Sequence, residues 1–189
     1  MKFRYATLLA FVPALAQAHP GHGLQSGLEA GLLHPLSGLD HLLAMLTVGA
    51  WAAFLGGRAR WAVPTAFVAA LLVGSLVPAA LPSGVVEQAI AASLLLIGAL
   101  LALAVRLPLA ASLTLVAAFA VFHGLAHGSE APLDGGIGYR AGFVVSTALL
   151  HAIGFAIAAA VLHRPALPLL RLAGTGVGLA GAALLATTF

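Results

Sequence analysis

The 189-residue chain is 62% hydrophobic and only 7% charged, with eight Lys and Arg against five Asp and Glu and a net charge of +3. Soluble domains carry about a quarter charged residues, so a water-soluble fold with a polar shell is excluded and the bilayer must serve as solvent. With no cysteine and two methionines, the chain has no disulfide framework, thiolate site or iron–sulfur cluster, and a thioether path for Cu(I) is disfavoured.

In chain order, residues 1–18 read as a cleavable signal peptide. Lys2 and Arg4 give a positive start, Tyr5 to Leu15 an apolar run, and Ala16-Gln17-Ala18 a small-x-small cleavage site. Cleavage there leaves a mature chain, residues 19–189, that begins HPGHG outside the cytoplasm. His19, His22 and the new terminal amine then form either a cation-binding terminus or a polar tail.

A membrane-spanning helix takes about 20 mainly apolar residues, and six stretches qualify: 33–56, 61–80, 86–105, 108–128, 138–162 and 167–188. The breaks hold the expected punctuation: GGRAR, PAALPSG, RLP, SEAPLDGG and HRPALP. The apolar runs do not alternate and exceed barrel-strand length. The expected fold is therefore all-α: a single six-helix transmembrane bundle after the signal peptide, N-terminus outside. Basic residues in short loops set orientation. Arg58, Arg60, Arg106, Arg164 and Arg171 fall inside and Arg140 alone outside, whereas Glu29, Glu87, Glu130 and Asp134 fall at the outer boundary. Gly174, Gly178 and Gly181 read as close helix packing.

The polar residues are concentrated. Eight histidines equal Lys plus Arg in number. HPLSGLDH at 34–41 opens the first span and FHGLAHGSE at 122–130 closes the fourth, on the same side of the membrane. His34 and His41 are seven apart, and His123, His127 and Glu130 stand at i, i+4 and i+7, so each set lies on one helical face. Imidazole with carboxylate oxygen suits Ni²⁺, Co²⁺, Zn²⁺ or Cu²⁺. A carboxylate such as Asp40 in hydrocarbon costs about 3 kcal/mol or more unless paired or hydrated.

Each residue has a plainer reading. Asp40 can be a hydrogen-bond partner for His41 or a helix cap, His34 a solvated interfacial histidine, and Glu130 a loop charge. His123 and His127 can bond backbone of a neighbouring helix. Glu87 either caps the third span or attracts cations. His151, alone in LLHAIG, is either a deeper stop on an ion path or a bonded core histidine, and His163 is interfacial. Membrane histidines also fit a haem-b electron carrier or a non-transporting metal-binding assembly protein.

The two motifs resemble the H-P-x-x-G-x-D-H and F-H-G-x-A-H-G-x-E signatures of the HupE/UreJ nickel permeases, matching at every specified position. The resemblance covers essentially the whole mature chain. It implies six helices, uptake of Ni²⁺ or in some members Co²⁺ across the bacterial cytoplasmic membrane, and metal supply to hydrogenase or urease maturation. It assigns His34, Asp40, His41, His123, His127 and Glu130 to the ion, with Glu87 resembling an acidic position before the third span. The expected role is a secondary permease rather than an enzyme. It has no permanently bound cofactor, a divalent cation as substrate and the lipid bilayer as surroundings. No basic patch for nucleic acid is present, and self-association into a homo-oligomer is left open.

Overall fold

The computed structural model describes residues 27–77, 81–132, 136–163 and 166–188. The signal-peptide reading of residues 1–18, and His19 and His22, lie outside them. Seven helices and no strand occur among the described residues: α1 (Gly27–Ser37), α2 (Leu39–Leu55), α3 (Ala59–Leu76), α4 (Ser83–Ala102), α5 (Leu109–Ser129), α6 (Gly136–Leu162) and α7 (Leu167–Thr187). Helices α3 to α7 are each long and apolar enough to cross a membrane, and α1 with α2 makes a sixth span if the bent pair is counted as one. The chain is a multi-pass membrane protein.

Proline and glycine set the boundaries. Pro82 and Pro108 precede α4 and α5, and Pro168 lies in the first turn of α7, where a missing N–H costs nothing. Gly56, at a φ of 70°, ends α2 in the conformation that glycine adopts most easily.

The first span departs from the sequence expectation. Instead of one helix over 33–56, the chain turns by 83° between α1 and α2. Gly38 there is extended, at φ −102° and ψ 121°, which interrupts the helical ladder. Pro35 adds to the break by removing a helix donor in the last turn of α1. His34 and His41 therefore do not share one helical face; they approach from two helices at nearly a right angle.

Helices pack with backbones in close approach. A side chain on Gly49 would strike the His151 carbonyl and one on Gly154 the Leu46 carbonyl, which locks α2 against α6. Gly74 and Gly124 do the same for α3 and α5. Gly98, Gly174 and Gly181 bring α4 and α7 together, as the small-residue pattern predicted. Between these pairs lies a core that includes Met45, Trp51, Phe67, Leu71 and Phe143. Leucines such as Leu39, Leu103 and Leu172 point outward, as a lipid-facing surface requires.

The two ends of the bundle differ in charge. At one end Arg106 donates to the Leu55 carbonyl at 3.1 Å and Arg171 to the Ala102 carbonyl at 2.7 Å, tying the α4–α5 link to α2 and α7 to α4. Arg58 and Arg60 belong to this basic end by their place between α2 and α3. The other end carries Glu87 and Glu130, with the histidine cluster just beneath.

Candidate metal site

Three elements build the cluster. α1 contributes His34 from its last turn, α2 contributes Asp40 and His41 from its first turn, and α5 contributes His123 and His127, with Glu130 as its C-cap. His127 stands at the centre, its ring centroid 4.8 Å from that of His34 and 4.8 Å from that of His41. The His41 ring lies 5.0 Å from His123. Four imidazoles thus form a continuous string, His34–His127–His41–His123. His34 Nε2 is 2.8 Å from Glu130 Oε2 at its exposed end. One ligand atom each from His34, His127 and Glu130 lies within 4.8 Å of the others, near enough for one ion to collect all three.

The polar contacts of each ring favour one nitrogen as the free ligand. Asp40 Oδ1 lies 3.1 Å from His41 Nδ1. A carboxylate only accepts, so Nδ1 carries a proton, and in the neutral ring, the form that binds metal, the buried, unpartnered Nε2 holds the lone pair. Ser93 Oγ donates to the Ile90 carbonyl at 2.6 Å and stands 3.0 Å from His123 Nε2. Having spent its one proton, the hydroxyl accepts from Nε2–H, which leaves the buried, unpartnered Nδ1 of His123 as the free lone pair. Both nitrogens of His127 are buried without a partner. Backing of a ligating histidine by a carboxylate or a neutral acceptor is the usual arrangement around a protein-bound metal.

Gly38 shares in this geometry. A β-carbon there would come within 2.7 Å of Asp40 Oδ1 and 3.3 Å of His41 Nδ1. The glycine of HPLSGLDH therefore both bends the chain and leaves room for the Asp40–His41 pair.

The structure sorts the sequence candidates. His34, His41, His123, His127 and Glu130 come together, and Asp40 sits beside His41 as its ion-pair partner. Glu87 is not a helix cap: α4 starts at Ser83, and Glu87 lies beyond its first turn. Its residue lines a cleft of about 320 Å³ that Ser83, Ser129 and Glu130 also line. His151 stands apart on α6, buried, with neither ring nitrogen bonded. Sequence reasoning missed Ser93, Phe67, Tyr139 and Phe143. The Phe143 ring stacks on His127 at 4.9 Å and 6°, and Tyr139 packs edge-on to His34 at 5.5 Å.

Residues 7–184 match the family model described as HupE / UreJ protein. The chain belongs to the HupE/UreJ family. It is 44% identical over 179 residues to Protein HupE of Rhizobium leguminosarum bv. viciae, an alignment that covers 92% of each chain. No solved structure matches it. The two signatures through which the sequence resembles HupE/UreJ proteins supply every imidazole in the four-ring string.

Proposed function

We propose that this HupE/UreJ chain is a secondary permease that brings divalent nickel, with cobalt as a competing substrate, into the cytoplasm for hydrogenase or urease maturation. The observation that carries the reading is the convergence of His34, His127 and Glu130 to within 4.8 Å. Nitrogen and carboxylate oxygen without thiolate give borderline ions a site strong enough to replace part of their water and weak enough to release them. The acidic end faces the periplasm and the basic end the cytoplasm, in keeping with the bias of arginines to the inside. The sequence has no phosphate-binding G-x-x-x-x-G-K-[ST] loop, so transport runs without ATP on this chain.

Glu87 and Glu130 draw cations into the cleft between them. The ion passes to His127, exchanging the His34–Glu130 hydrogen bond for metal bonds, and then to the free lone pairs of His41 and His123. Asp40 and Ser93 act behind those rings, fixing their tautomers and orientation. The haem-carrier reading finds no support in this arrangement, because adjoining imidazoles touch edge to face and leave no slot for a flat macrocycle between them.

The purified protein in proteoliposomes, given radiolabelled nickel outside and none inside, tests the reading. Saturable influx that cobalt suppresses is expected. Influx no faster than in empty liposomes overturns it.

A further inference from the structure

The cluster does not reach the basic end, and a second feature of the fold continues from it. α6 carries Tyr139, Phe143, Thr147 and His151 at four-residue spacing, all buried, at 2%, 0%, 0% and 2% exposure. This spacing keeps them along one strip of the helix. The strip starts at the cluster, where Tyr139 touches His34 and Phe143 stacks on His127. At a rise of 1.5 Å per residue it descends about 18 Å to His151. There the α6 backbone lies against Gly49 of α2, eight residues or about 12 Å beyond His41. Phe67 of α3 joins the two levels, its ring 5.6 Å from His123 and 5.0 Å from His151.

The strip carries buried, unpartnered polar atoms at both ends, the Tyr139 hydroxyl beside the cluster and Thr147 with His151 below Phe143. Thr147 Oγ1 and both ring nitrogens of His151 are buried without a hydrogen-bond partner, one helical turn apart. A buried, unbonded hydroxyl is costly to a fold, and imidazole nitrogens add to the cost. Groups of this kind in native proteins mark a bound water, an ion or a functional role. A structural histidine would be bonded to a neighbouring helix, and His151 is not.

We propose that Thr147 Oγ1 and His151 form a second, inner cation station, which takes the hydrated divalent ion after it leaves His41 and His123. The proposal rests on the permease reading for its role in transport, but not for the binding itself. One imidazole and one hydroxyl, with water completing the shell, make a weaker site than the cluster, as an exit station requires. The Phe67 ring separates the two stations, and an ion must pass its edge to move from one to the other.

The test uses the full chain in nanodiscs and in proteoliposomes, with Ni²⁺ as the probe. Equilibrium dialysis of the native protein is expected to show a tight ion and a second, weaker one. His151→Ala and the less disruptive His151→Gln should lose the weaker ion, keep the tight one and cut uptake about tenfold or more. Thr147→Val should weaken the second ion without removing it. A native chain that binds a single ion, or a properly inserted His151 variant that binds and transports like the native protein, overturns the inner station. A native chain that binds both ions but admits no nickel overturns the permease reading instead, and leaves the station as a binding site.

Discussion

Ser93 Oγ accepts a hydrogen bond from His123 Nε2–H across 3.0 Å, its own proton being committed to the Ile90 carbonyl. A serine on α4 thereby decides which face of an imidazole on α5 is available to a cation. Ser93→Ala should raise the nickel KM about tenfold while leaving expression and membrane insertion intact, since loss of a backing hydrogen bond typically weakens metal binding by about 10–100-fold. Initial uptake rates over a range of nickel concentrations check this; an unchanged KM would remove Ser93 from the site.

Asp40 plays the corresponding part for His41. Asp40→Asn keeps the volume but loses the negative acceptor, so Nδ1 of His41 is no longer held protonated. Uptake should fall by about 100-fold with the protein still inserted, and Asp40→Glu should recover part of it. Normal uptake by the Asn variant would show that the His41 tautomer does not matter.

The two kinds of motif glycine should separate function from stability. Gly38→Ala places a methyl 2.7 Å from Asp40 Oδ1, a side chain that can swing away. It should impair uptake strongly and leave the thermal midpoint in detergent nearly unchanged. Gly124→Ala sets a methyl against the Leu71 carbonyl and the Gly74 α-carbon, which are backbone. It should lower the midpoint or prevent insertion, in the range of overpacking costs of about 1–3 kcal/mol. Equal thermal behaviour of the two variants would contradict this division.

Nickel uptake should weaken as the external medium is acidified, because only neutral imidazole binds metal and protonation removes the lone pair. The sign is fixed: acid reduces uptake and alkali restores it, until nickel hydrolysis intervenes. Uptake into proteoliposomes that stays undiminished at every acid pH at which the protein remains folded would count against imidazole ligation.

Much of this was legible in the sequence, and the misses have physical causes. The apolar lengths and proline breaks place the helices to within a few residues. The spacing of His123, His127 and Glu130 holds because α5 is unbroken through His127. The seven-residue spacing of His34 and His41 misled, because periodicity assumes a continuous helix and Gly38 interrupts it with an 83° bend. The two rings are linked through His127, which each of them touches. Asp40 was readable as a polar residue in an apolar span with His41 as one candidate partner, and side-chain placement, which the sequence does not carry, is what pairs the two. Ser93 left no signal: a lone serine among leucines is ordinary. The α6 strip had a four-residue period, but its members differ in chemistry and were diluted by aliphatic neighbours.

X-ray absorption at the nickel edge of the purified protein, loaded below one ion per chain, tests the central claim most directly. The account expects a shell of nitrogen and oxygen only, with the multiple-scattering pattern of imidazole, and a clear loss of that pattern in His127→Ala. A spectrum free of imidazole scattering, or one that His127→Ala leaves unaltered, would contradict it.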